Sequence, residues 1–363
     1  MLTGSPGEAL PRLLAAWPGH PQEFYALCQS VADWETFLGA AERHGVLGVL
    51  APALAGPAAG LAPQVLALVE ERRVVERLWG SRLSETLAEA LAALAAAGVP
   101  VLALKGPVLS ERLYADPLAR RSADLDLLVR VTDFPRAKEL LEGLGYRAEP
   151  GPTARYRRRH HHHLCMVRTG SPAVELHFRA FSGFGTTIAA EEVFARATPY
   201  RTRLGPTCLV LAPEDEVLYL GVHAAGHDLE RLSWLYDLKT FRERYPALDW
   251  PTVFARARSA KVAVPLAFSL DALGRRLGVA VPDLGPLAER SGLRWRLAGR
   301  LVTRLGTWPP EAARAKVGSL VLQALLCDRA SAGLWYLRHH FGRIARRWLR
   351  RRLPRFVPYE WSA

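Results

Sequence analysis

Two aspartates separated by one leucine, Asp124-Leu125-Asp126, open an apolar run that continues through Leu127, Leu128 and Val129. Such a run predicts a strand, and in a strand residues i and i+2 share a face. The two carboxylates therefore project side by side while Leu125 turns into the core. Carboxylates this close repel unless a cation lies between them. A hard ion such as Mg²⁺, with Mn²⁺ as its substitute, takes oxygen ligands and keeps positions for water and phosphate. A third acid stands in Val174-Glu175-Leu176-His177, another apolar stretch with one acid on its polar face. Asp124, Asp126 and Glu175 are thus the candidate metal ligands and catalytic acids.

These acids need a scaffold, and the stretch upstream supplies one. Val99 to Leu104 is a short apolar run ending at Lys105-Gly106-Pro107. Pro107 suits the first turn of a helix, where its missing N–H costs nothing. A glycine turn before a helix offers backbone N–H groups to an anion, and Lys105 is one of only five lysines in the chain. Val99 to Arg130 therefore reads as strand, turn, helix, loop, strand. No GxxxxGK[ST] occurs, and Ser182-Gly183-Phe184-Gly185-Thr186 is too short for a dinucleotide fingerprint, which disfavours P-loop kinases and Rossmann dehydrogenases.

Leu104-Lys105-Gly106, Arg120 four residues before Asp124-Leu125-Asp126, and Glu175-Leu176-His177 together resemble the family of uncharacterised nucleotidyltransferases, within the polymerase-beta-like nucleotidyltransferase superfamily. Weaker similarity extends to Asp33-Trp34, His44-Gly45-Val46, and His223, His227, Arg231, Trp234 and Asp237, so it covers most of the chain. The Gly-Ser turn usual in the superfamily is replaced here by Lys105-Gly106. The resemblance implies a small mixed sheet flanked by helices, an α/β (α+β) fold. It also implies transfer of a nucleoside monophosphate from an NTP to an acceptor (protein, sugar, metabolite or RNA), with Mg²⁺ and release of pyrophosphate. In that scheme Lys105, Gly106, Arg120 and Ser122 bind phosphate, Arg120 by a bidentate contact. His177, His223, His227, Arg231 and Asp237 line the cleft. Two other readings stand beside it: a nucleotide-binding or scaffolding module without turnover, and a peripheral membrane or RNA-binding protein.

Lysine plus arginine number 48 against 35 acids, almost all of the excess being arginine, so polyanions are the expected partners. Cys28, Cys165, Cys208 and Cys327 are too scattered for a zinc knuckle and read as free thiols. The opening MLTGSPGEALPRLL lacks signal-peptide order. The longest apolar stretch, Ala90 to Leu104, contains Gly98 and Pro100 and falls short of the roughly 20 residues a membrane helix needs. A cytoplasmic protein is expected.

Four blocks organise the chain: helices over 1–82, the sheet over 83–205, helices again over 206–330, and a basic helix over 331–363. Pro63 starts a long helix to Ala97, with a break expected at Gly80. Tyr156 to Val167 and Ala173 to Phe178 should pair across Thr169-Gly170-Ser171-Pro172. Strand alternation divides His160 to His163 between two faces, leaving at most two convergent rings and favouring a basic strand end over a metal site. His223 and His227 lack the glutamate of a zinc-protease helix, since Ala224 stands in its place. In the last block Leu334, Leu337, Phe341, Ile344 and Trp348 follow helical spacing among Arg338, Arg343, Arg346, Arg347 and Arg350 to Arg352. An ordinary helix packed by its apolar stripe is the simpler expectation, and contact with an anionic surface or membrane the alternative.

Overall fold

The computed structural model describes residues 6–149, 162–287, 292–305 and 313–352. Four short helices, α1 (Pro6–Ala16), α2 (Pro21–Cys28), α3 (Trp34–Arg43) and α4 (Leu47–Leu54), precede the long α5 (Pro63–Ala96). Asp33 caps α3 by accepting from the Thr36 N–H. α5 runs unbroken through Gly80, whose missing Cβ makes room for Leu118. The expected break does not form because the helix needs only a small residue there, not a bend.

The predicted strand–turn–helix–strand unit follows as β1 (Leu102–Ala103), α6 (Pro107–Leu113) and β2 (Asp124–Leu128). β1 is shorter than expected. Next come α7 (Phe134–Gly143), β3 (Arg147–Ala148), β4 (His163–Val167), β5 (Ala173–His177), β6 (Arg179–Gly183) and β7 (Thr186–Ala189). Then α8 (Ala190–Phe194), β8 (Thr198–Arg201) and β9 (Thr207–Val210) lead to the helices α9 (Pro213–Gly226), α10 (Leu232–Arg244), α11 (Trp250–Ser259) and α12 (Ala263–Leu277). α13 (Leu293–Leu305), α14 (Ala313–Leu325) and α15 (Ala330–Arg352) complete the described chain.

The sheet is mixed and seven-stranded, in the order β3-β4-β5-β2-β1-β9-β8, and β6 and β7 form a separate hairpin. β4 and β5 pair antiparallel across 169–172, as their turn residues predict. The part of that pairing expected from residues 156–161 lies outside the described residues. The β6–β7 loop is Phe184-Gly185, both with positive φ, the two-residue turn whose twist suits a hairpin.

Alternation along β2 and β5 separates two environments. Leu125, Leu127, Val174 and Leu176 enter an apolar core against Leu87 and Leu91 of α5 and Leu141 of α7. Leu128, on the face that carries Asp124 and Asp126, belongs with Leu102 and Leu104 to a second core. This second core also contains Leu13 and Leu50 from the first helices and Leu235 and Leu266 from the later ones. Helices from both ends of the chain thus share one interior, and the acid-bearing face of the sheet looks toward it.

Candidate active site

β2 and β5 are parallel neighbours, and their register sets Asp126 directly across from Glu175 and Leu128 across from His177. Because paired residues in adjacent strands share a face, three acids and one imidazole emerge together. His177 Nε2 lies 3.2 Å from Asp126 Oδ1 and 3.4 Å from Glu175 Oε2. Asp126 and His177 are almost wholly buried, whereas Asp124 and Glu175 keep about a quarter to a third of their side chains open.

The cation between the aspartates is Lys105. Its Nζ sits 2.7 Å from Asp126 Oδ2 and 3.8 Å from Asp124 Oδ1. Burial pushes the Asp126 carboxyl up, but Lys105 and the bonded His177 outweigh it and hold the group well below the usual carboxylate range. Burial and then the Asp126 charge raise Asp124. For Lys105 and His177 burial acts downward, yet the adjoining acids raise both above their ordinary values. Burial lifts Glu175, and the His177 bond returns it below. The cluster therefore concentrates opposite charges in a dry setting, with Asp124 the acid least satisfied by its neighbours.

Gly106 adopts φ 73° and ψ −144°, close to a region that is essentially glycine's alone. It turns the chain so that Lys105 reaches the mouth of β2, and its own α-carbon backs onto the Asp124 carbonyl. Gly106, expected among the phosphate-binding groups, is not one of the residues that line the cavity described below.

Arg120 also differs from expectation. Its Nε and one terminal nitrogen each reach Asp237 at 2.8 Å, one to each carboxylate oxygen, and the other terminal nitrogen donates to Ser122 Oγ at 2.6 Å. The Tyr114 hydroxyl donates to the same carboxylate at 2.6 Å. The bidentate contact foreseen with a phosphate is thus made with Asp237, which anchors the loop before β2 to α10. Asp237 stands behind Arg120 and not on the cavity wall.

The acids open into a cavity of about 740 Å³. Lys105, Arg120, Ser122, Asp124, Asp126, Glu175, His177, His223, His227 and Arg231 all reach it. Burial, and then the Lys105 charge, hold His223 well below its ordinary value and lower His227, favouring the neutral form of both rings. Their rings lie 4.6 Å apart and pack against Trp234 at 5.4 and 5.1 Å between centroids.

The opposite wall was not foreseen. It comes from β6–β7, through Phe181 and Ser182, and from α15, through Trp335, Tyr336, His339 and His340. Of the stripe expected to pack α15, Leu334 and Phe341 are exposed instead, 69% and 41%. Close approach is made by small residues: a Cβ on Gly333 would lie 2.5 Å from the Ala324 carbonyl oxygen, and one on Gly185 would lie 3.0 Å from Ala332 Cβ. The signal available in the sequence was Trp335-Tyr336 followed one turn later by His339-His340, aromatic pairs in helical register. Arginines after Gly342, on which the anionic-surface reading rests, have side chains outside the described ones. Among the described residues no helix is long and apolar enough to cross a membrane.

The donor chemistry fits a divalent cation. Asp126, Glu175 and His177 each offer a ligand atom within 4.8 Å of the others, and two of the three are oxygens. Lys105 marks the adjoining gap between Asp124 and Asp126 as one built for positive charge.

No curated protein matches this chain. Among solved structures, the solution structure of the antibiotic-resistance factor ANT(2'')-Ia is similar at 14% identity and a TM-score of 0.32, over 49% of this chain and 92% of that one. The model of the uncharacterised nucleotidyltransferases matches residues 30–278, from α3 to the end of α12, a span holding every strand of the sheet and all three acids. By that match the chain belongs to this nucleotidyltransferase family and is a transferase.

Proposed function

We propose that the protein transfers a nucleoside monophosphate from an NTP to an acceptor hydroxyl or phosphate. The observation that carries this reading is the register of β2 against β5, which gathers Asp124, Asp126 and Glu175 beside Lys105 at one end of a cavity. Asp124, Asp126 and Glu175 would hold Mg²⁺ or Mn²⁺, which neutralises phosphate charge when bound. Lys105 balances the acids without ligand and is the ammonium within reach of a phosphate oxygen. Glu175, partly open, accepts the proton of an acceptor hydroxyl as the new P–O bond forms and the bond to pyrophosphate breaks. Arg120 is a positioning residue that acts through Asp237 and Ser122. The wall of Trp234, Trp335 and Tyr336 offers flat surfaces to a base or an acceptor.

The test is thermal unfolding of the wild type and Asp126→Ala with ATP, GTP, CTP and UTP, each with and without Mg²⁺. A ligand at about one hundred times its dissociation constant adds about 2.7 kcal/mol. A Mg²⁺-dependent rise in midpoint with one nucleotide, absent in the variant, names the donor. Pyrophosphate release that persists in Asp126→Ala contradicts the mechanism. Lys105 filling the gap between the acids favours a second reading, a nucleotide-binding module without turnover. That reading requires the same midpoint shift with no release of pyrophosphate under any acceptor.

A further inference from the structure

A second donor group adjoins the acids. One ring nitrogen from each of His162, His163 and His177 lies within 4.8 Å of the others. The ring centroids are 4.5 Å apart for His162 and His163, 5.2 Å for His162 and His177, and 5.0 Å for His163 and His177. Of His160 to His163, at most two were expected to converge, and His162 and His163 do so although they are consecutive, because β4 begins only at His163. His160 and His161 lie outside the described residues, and the third ring comes from a neighbouring strand. His163 and His177 are cross-strand partners and share a face. His162 precedes the strand, and its carbonyl accepts from the Phe178 and Arg179 N–H groups at 2.9 and 3.3 Å, which fixes it at the end of the ladder.

His177 is buried and its two nitrogens are in different situations. Nε2 faces Asp126 and Glu175, while Nδ1 is buried with no hydrogen-bond partner among the described residues. A buried polar atom without a partner is costly to the fold. His163 Nε2 lies 3.6 Å from Glu175 Oε1, so Glu175 stands beside two of the three rings, and a carboxylate beside an imidazole is what orients histidine ligands.

We propose that His162, His163 and His177 form a site for a borderline transition metal of the Zn²⁺ type, adjoining the oxygen-rich position at the acids and sharing His177 with it. Three imidazoles suit Zn²⁺, Co²⁺ or Ni²⁺ far better than Mg²⁺. Asp126 and Glu175 then serve two neighbouring positions, as oxygen ligands to a hard cation and as the carboxylates that orient His177. The inference does not require nucleotide transfer, because it rests on ring geometry alone.

Co²⁺, a spectroscopic stand-in for Zn²⁺, tests it on the full chain without nucleotide. The wild type is expected to bind one equivalent with a visible d–d absorption that excess Mg²⁺ leaves in place and Zn²⁺ removes. The double variant His162→Ala/His163→Ala, altering two partly exposed residues, is expected to lose at least about tenfold in Co²⁺ affinity while keeping the wild-type far-ultraviolet circular dichroism. Unchanged affinity in that variant, displacement of Co²⁺ by Mg²⁺, or no d–d band in the wild type would each overturn the site. A Co²⁺ band with no Mg²⁺-dependent nucleotide shift leaves this inference standing and the transferase reading fallen. The reverse result does the opposite.

Discussion

Two charge clusters flank the loop between α6 and β2, and they are built on opposite terms. Around Arg120 every strong donor has an acceptor: the fork meets both oxygens of Asp237, Ser122 takes the remaining nitrogen, and Tyr114 adds a hydroxyl. Around Lys105 three carboxylates share one ammonium and the imidazoles of His177 and His163, and the group opens into the cavity. The first is closed and balanced, as a clamp should be. The second carries surplus negative charge at its open edge.

Removing one partner of the clamp should have the largest effect. Asp237→Ala strands a buried guanidinium, a loss of about 3–5 kcal/mol that urea unfolding will read. A change near 1 kcal/mol would mean that Arg120 finds another acceptor in the cavity. At the open cluster the expected pattern is reversed. Asp124→Asn should cut nucleotide transfer at least about a hundredfold while leaving the unfolding midpoint without metal equal to or above the wild type. Burial and Asp126 already disfavour the Asp124 charge, so its removal relieves the fold. A large loss of stability in this variant would erase the distinction between the clusters.

The smallest effect concerns pH. His223 is held below its ordinary value by burial and then by Lys105. The unfolded chain, with a histidine pKa near 6.5, therefore binds a proton that the folded chain refuses. The stability this contributes is present above about pH 6.5 and is lost as pH falls toward the folded value. Unfolding midpoints of His223→Gln should decline less than those of the wild type between pH 7 and 5. Parallel curves would show that the ring is already hydrated in the cavity.

What the sequence disclosed follows from how far apart the interacting residues lie. Asp124 and Asp126, the positive-φ turn at Gly106 and the Pro107 helix start depend on period-two alternation and local backbone preference. They were legible within a dozen residues. The fork of Arg120 meets Asp237, which stands 117 positions away, and no local period encodes that meeting. Lys105 pairs with two acids one strand over, an ion pair that its place at the glycine turn does not disclose. The α15 wall was missed for the same reason. Its tight seating depends on Gly333 and Ala332, whose small size matters only once Ala324 and Gly185 are known to face them.

The position of that wall along the chain has a consequence for biosynthesis. Tyr336 follows Asp126 by roughly 210 residues, and at about 5–20 residues per second the acids leave the ribosome roughly 10–40 s before the rings that will face them. Once β9 has emerged, a nascent chain can fold its sheet and seat Lys105 between the aspartates, yet it still presents the acids on an unroofed surface. Lys105 is then more than a neighbour of the acids. It is the counterion that travels with them, offsetting part of their charge from the moment β2 pairs with β1 and long before a substrate chamber exists.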